Sequence, residues 1–197
     1  MAQSAGLVNL LDVVRNIIIV KKKVRRMDKL EYIPGDLVMT NGVPLGTAQN
    51  VVYRVTSSDP SKTLKLDDGT VLKGVVCLNI EGAEFGEKGY LSGDCCAWVK
   101  DIVPIPLTHK ILEKDGFEVR YSGMYCTKSI DCRCGFLQRY IAIERKNNDW
   151  AVFIKYKSIS DYALLCHIKY VHQLQNLLFG LNINSEMKVS SKRPNKK

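Results

Sequence analysis

The run TLKLDDGTVLKGV, residues 63–75, narrows the possible folds more than any other part of the chain. Apolar-alternating segments flank Asp68-Gly69, and a two-residue hairpin turn needs positive φ where those two residues stand. The sequence therefore predicts a tight hairpin, with Leu64 and Leu66 on one face, inside an antiparallel sheet.

Neighbouring segments extend that sheet. Gly35 and Asp36 lead into LVMT, and NGVPLG supplies turn residues. In VVYRVTSS, Val51, Tyr53 and Val55 alternate with Val52, Arg54 and Thr56, the pattern of a half-buried strand. After the glycine-rich EGAEFGEKGYLSGD, the apolar CCAWVKDIVPIP suits a closing strand. Five short strands in roughly 70 residues suit a small, strongly bent SH3-like β-barrel better than an open sheet. The expected barrel spans residues 31–106.

Pro104 and Pro106 end that unit. Thr108 then has the position and hydroxyl of an N-cap, Leu107 and Leu112 are spaced as a hydrophobic staple, and Gly116 supplies a left-handed stop. LTHKILEKDG is one short helix on this reading. GFEVRYSGMYC, FLQRYIAIER and WAVFIKYKS read as strands, with KNND as a turn. Leu137, Ile141 and Ile143 share one face, and Val152, Ile154 and Tyr156 another. In YVHQLQNLLFGL, residues 170–181, Val171, Leu174, Leu178 and Leu181 recur at helical spacing and are expected in the core. Residues 107–185 thus read as a small antiparallel sheet flanked by two helices, and the fold class as α+β.

A formal charge of +9 points to nucleic acid until it is divided along the chain. Residues 1–30 hold seven Lys/Arg against two Asp, residues 186–197 hold five against one, and 17 of each sign remain in residues 31–185. Released counterions supply most phosphate affinity, so only the basic ends are candidate nucleic-acid contacts. These are Lys21, Lys22, Lys23, Arg25 and Arg26 in KKKVRR, and Lys192, Arg193, Lys196 and Lys197 in the tail. Residues 1–30 are read as a basic extension, helical or disordered, and residues 186–197 as a disordered tail. The apolar run Leu7 to Val20 contains Asp12 and Arg15 and is too short to cross a bilayer, so no membrane span is expected. Met27 opens MDKLEYIPGDLV, which reads as the natural start of the first strand region. A translation-start artefact or poorly ordered extension is preferred there to a membrane-surface helix.

Seven cysteines make an odd number, and adjacent Cys95 and Cys96 cannot pair without strain. With no secretory signal before them, reduced thiols in a cytoplasmic protein are the simpler reading. Cys126, Cys132 and Cys134 form the strongest candidate metal cluster, with Cys95, Cys96 or Cys166 as further ligands. C-x5-C followed by C-x-C is no zinc knuckle, and the expected state is metal-free. Arg133 is too little to make a thiol nucleophile. GVPLGT lacks the Lys-Ser/Thr of a phosphate loop, and Asp67 and Asp68 belong to a turn. Tyr53 with Arg54, and Tyr140 with Arg139, alternate to opposite faces, which argues against an aromatic platform for single strands. No cofactor is expected.

His172, Gln175 and Asn176 fall on a second face of the last helix, with Phe179. No Ser, Cys or carboxylate lies within a turn of His172, so a catalytic role is not supported, and neither His109 nor His167 sits in a metal motif. The face is expected to satisfy backbone groups of an adjacent sheet or loop, with a partner-facing role as the functional alternative.

IPLTHKILEKDGF and YVHQLQNLLFGL resemble paired signatures of uncharacterised short proteins encoded by prophages and conjugative elements of gut bacteria. In that family an IPLT helix and a terminal YVHQLQNL helix bracket a variable set of strands. The resemblance covers roughly residues 30–185 and implies no particular activity. NGVPLGTAQ and DCRCGF stand out as local variations, and LNINSEM replaces the more usual acidic ending. The expected function is that of a non-enzymatic accessory or scaffold protein of a phage or mobile element, binding a protein partner. The alternative is weak, non-specific nucleic-acid binding through the basic termini and the barrel surface.

Overall fold

The structure is a computed structural model that describes residues 31–42, 51–81, 95–130, 139–156 and 159–189. Strands β1 (Leu37–Thr40), β2 (Tyr53–Lys65), β3 (Val71–Ile80), β4 (Cys95–Trp98) and β5 (Ile102–Pro104) form one antiparallel sheet in the order β4-β3-β2-β1-β5. The predicted hairpin joins β2 to β3, but it turns on three residues, not two. Leu66 N–H donates to Thr70 O at 2.8 Å, and only Gly69, at φ +84°, is left-handed. Asp68 instead accepts from Thr70 N–H at 2.8 Å through its carboxylate, the usual service of Asp in a turn. Leu64 and Leu66 lie exposed on the projecting arm.

Two further segments differ from their expected form. Residues 53–65 make one strand instead of two, with Pro60 placed where the register slips between Asp59 and Thr63 and a missing N–H is tolerated. CCAWVKDIVPIP is not one closing strand: β4 pairs with β3, a 3-10 turn at Val99–Asp101 follows, and β5 pairs with β1. The sheet therefore ends at β4 on one side and β5 on the other, and no pairing among the described residues closes it into a barrel.

Helix α1 (His109–Lys114) begins as predicted, with the Thr108 hydroxyl accepting from Ile111 N–H at 3.3 Å. It stops at Gly116, φ +81°, where Phe117 N–H returns to Leu112 O at 3.0 Å. Strands β6 (Glu118–Arg120), β7 (Tyr125–Ile130), β8 (Arg139–Lys146), β9 (Asp149–Tyr156) and β10 (Ile159–Ile168) form a second antiparallel sheet in the order β10-β9-β8-β7-β6. GFEVRYSGMYC is broken into β6 and β7 by left-handed Tyr121 and Ser122, at φ +53° and +52°. Gly123 follows at φ +88°, where a Cβ would come within 2.6 Å of the His109 ring. Strand β10 was not foreseen from the sequence. Helix α2 (Val171–Gly180) is the last regular element among the described residues, with Gln173 Oε1 accepting from Lys169 and Tyr170 N–H.

Val171, Leu174 and Leu178 are fully buried, as the helical spacing predicts, and Leu181 packs beside them. Their core includes Ile141, Ile143 and Val152 from the second sheet, and also Leu37 of β1 and Val52 immediately before β2. Successive residues of a strand face opposite ways, so Leu37 enters this core while Val38 enters the other, with Tyr53, Val55, Val76 and Leu78. The two sheets thus share packing through β1. Residues 105–107 and 169–171 are tied by Leu107 N–H to Lys169 O and Val171 N–H to Ile105 O, at 2.8 and 2.9 Å. Among the described residues the fold is α+β, with two antiparallel sheets and two α-helices. Among the described residues, no helix is long and apolar enough to cross a membrane.

Candidate functional site

The polar face of α2 is turned inward onto residues 32–37. Gln175, 4% exposed, accepts from Leu37 N–H at 2.8 Å and donates to Gly35 O at 3.1 Å and Ser185 O at 3.4 Å. One amide thereby satisfies backbone groups of two separate segments, as the sequence reading expects of this face. Asn176 Nδ2 lies 3.5 Å from the Asp36 carboxylate, which also accepts from Ile33 N–H at 2.9 Å. Burial nevertheless pushes the Asp36 carboxyl up to about 6, against the lowering effect of those two donors.

His172, also 4% exposed, stacks on Tyr170 with ring centroids 5.8 Å apart and meets Tyr32 at 5.0 Å. Burial pushes its pKa down to about 4, so the ring is neutral at pH 7, and Nδ1 has no hydrogen-bond partner. Among the described residues, no hydrogen bond to Nδ1 orients the ring for proton transfer. His172 and Gln175 are therefore taken up by the chain's own packing and present no open face to a partner.

The other candidates disperse. Cys126 is buried in the shared core, its thiol pushed up to about 11 by burial and then by Glu113. Cys132 and Cys134 lie outside the described residues, as do all nine basic residues proposed for nucleic acid. Among the described residues, no group of three His, Cys, Asp or Glu is placed to hold a metal ion. An open cleft of about 540 Å³ between the sheets is crossed by ion pairs, Arg54 to Glu81 and Glu186 and Lys128 to Asp115. Four cations (Arg54, Lys114, Lys128, Lys188) face three anions (Glu81, Asp115, Glu186) in the lining, so little net charge is left for a ligand.

The outer face of the second sheet is different. Alternation on β7, β8 and β9 sends Cys126, Ile141, Ile143 and Val152 to the core and Tyr125, Ala142, Ala151 and Phe153 to the opposite side, where they form a separate apolar cluster. Around it aromatic rings and cations interleave. Lys155 Nζ donates to Tyr125 Oη at 3.0 Å and lies 5.1 and 5.2 Å from the ring centroids of Tyr125 and Tyr162. Phe153 meets Tyr162 edge-on at 5.4 Å, Lys146 sits 5.8 Å over Phe153, and Tyr121 extends the row from Tyr125 at 6.3 Å. The row runs from β10, one edge of the sheet, to the turn between β6 and β7 at the other. Tyr121, Met124, Tyr162 and Leu164 are exposed along it.

Sequence reasoning missed this row because its members come from four separate segments. The local signal lay in ISDYALLCHI, a run of strand-forming residues with a single charge, Asp161. No protein-family model matches the chain, and no curated protein and no solved structure is significantly similar to it.

Proposed function

We propose that the chain is a non-enzymatic, cytoplasmic accessory protein of a phage or conjugative element, acting by binding a protein partner. An extended segment of that partner adds along the outer edge of β10 and seats apolar side chains on Tyr162 and Leu164. The observation that carries this reading is that Tyr162, Ala163 and Leu164 are exposed in succession on an edge strand, Tyr162 at 63% and Leu164 at 52%. Edge strands are ordinarily protected by lysine, proline or inward-pointing charge, and β10 carries none of these between Tyr162 and Ile168. Main-chain pairing gives such a site affinity, and aromatic anchors give it specificity. The resemblance of the two helical motifs supports the phage or conjugative origin. The first sheet is read as SH3-like, a reading supported by its strand order and by the 3-10 turn between β4 and β5.

A second reading has its own support: tyrosines interleaved with lysines are also the chemistry of base stacking. The balance of charge over residues 31–185 weighs against it, as do Glu118, Glu144 and Asp149 on or beside the same strands. Capture from host extract, with and without nuclease, tests both. The expected result is a nuclease-resistant protein retained by the wild-type chain and lost with Tyr162→Ser/Leu164→Lys at unchanged stability. Equal capture by that variant removes the β10 site, and capture abolished by nuclease replaces the protein partner with nucleic acid.

A further inference from the structure

Cys77 on β3 and Cys96 on β4 are direct cross-strand partners, and their sulfurs lie 2.9 Å apart. Cys96 is exposed and Cys77 partly so. Cys95 pairs with buried Leu78, and alternation turns it to the other side of the sheet. We propose that Cys77 and Cys96 form a thiol-disulfide site that reacts with low-molecular-weight disulfides and, once oxidised, clasps the edge strand β4 to β3. The inference is independent of the partner site on β10.

The geometry assigns each thiol a step. Accessible Cys96, as thiolate, attacks one sulfur of the small disulfide RSSR; a Cys96–SR bond forms and RS⁻ leaves. Cys77, having lost its proton to solvent, then attacks the Cys96 sulfur, the Cys77–Cys96 bond forms, and the second RS⁻ departs. Two protein thiols are oxidised, one RSSR is reduced to two RSH, and the protons balance. The second step needs almost no chain movement, because the register already opposes the two residues. Cys95, one residue away in sequence, is excluded by the alternation of the strand.

β4 is only four residues long and, among the described residues, has no strand beyond it in the sheet order. A covalent tie to β3 closes a loop through residues 77–96, and loop closure of that length restricts the unfolded chain. Oxidation is therefore expected to raise the melting temperature, by roughly 5 to 10 °C for a chain of this size.

The experiment incubates the full chain with oxidised glutathione in excess over reduced, quenches by alkylation, and maps peptides by mass spectrometry beside a melting curve. The expected result is a Cys77–Cys96 linked peptide, a melting temperature raised relative to the reduced chain, and reversal of both by dithiothreitol. Cys77→Ser should leave Cys96 as its mixed disulfide with glutathione, and should not show the shift. Full alkylation of both cysteines after oxidation overturns the proposal. So does a link from Cys77 to Cys95, or a melting shift that persists in Cys77→Ser/Cys96→Ser.

Discussion

Gln175 on the last helix holds the main chain of Leu37 on the first strand, 138 residues away, through a buried 2.8 Å hydrogen bond. The opposite end of the same amide donates to Gly35 O at 3.1 Å. Few side chains could do both, because the task needs one acceptor and one donor on a single planar group. Gln175 is thus a fastener between the first sheet and the second layer.

Replacing Gln175 by Ala leaves Leu37 N–H buried without a partner, and an orphaned buried donor costs about 1–3 kcal/mol. The expected outcome is a loss of stability in that range by urea denaturation. Gln175→Glu keeps the acceptor and loses the donor, so it should fall short of wild type while also placing a charge in a buried site. Wild-type stability in Gln175→Ala would remove the fastening role.

Asp36 and His172 predict a pH response through opposite proton flows. Asp36 titrates near 6 when folded against its ordinary 3.8, so in that window the folded state holds a proton the unfolded state lacks. Its contribution to stability falls as pH rises from 3.8 to 6. His172 titrates near 4 when folded against its ordinary 6.5, so the unfolded state takes up the proton first, and stability falls as pH drops from 6.5 to 4. Between about 4 and 6 the two dependences oppose each other. Relative to wild type, Asp36→Asn should add a loss on acidification of up to about 1.4 kcal/mol per pH unit. His172→Phe should add a loss of similar size on raising the pH through the same window. Denaturation midpoints at four or five pH values check both; difference slopes of the same sign in the two variants would overturn the assignment.

The contrast between α2 and the outer sheet face explains how much was readable in advance. Val171, Leu174 and Leu178 stand three and four residues apart, so their burial is a local property of the helix. Thr108, Gly116 and Gly69 likewise act on residues within a turn of themselves. The division of CCAWVKDIVPIP between opposite ends of one sheet has no local cause, since it depends on which strands β1 and β3 leave available. Lys155 between Tyr125 and Tyr162 is less local still. Four strands, β7 to β10, must align before those groups meet, and alternation within any single segment cannot announce it. The inward turn of His172 and Gln175 was half legible: amides and an imidazole without a carboxylate suggested backbone partners, but not which segment would supply them.

Leu174 is fully buried in the shared core, so Leu174→Ala should cost roughly 2–5 kcal/mol through lost burial and the cavity left behind. Phe179, on the same helix but 68% exposed, provides the control. Phe179→Ala should change stability by no more than about 0.5 kcal/mol. Equal effects of the two substitutions in chemical denaturation would contradict the orientation of the helix.

Nucleic-acid affinity separates the two functional readings. Residues 31–185 balance 17 positive against 17 negative side chains, so electrostatic binding to DNA or RNA should reside in KKKVRR and the KRPNKK tail. Binding of that origin comes from released counterions, and is therefore weak, indifferent to sequence and steeply weakened by salt. The measurement is a titration of the full chain beside a variant with Lys21, Lys22, Lys23, Arg25 and Arg26 changed to Gln, each at two salt concentrations. The variant should bind more weakly at low salt, and its affinity should fall less steeply as salt rises, because fewer counterions are released. Tight, sequence-dependent binding that survives both the substitutions and the higher salt would place a nucleic-acid site elsewhere in the chain. The aromatic row at Tyr121, Tyr125 and Tyr162 would then be its first candidate, with base stacking in place of a partner strand on β10.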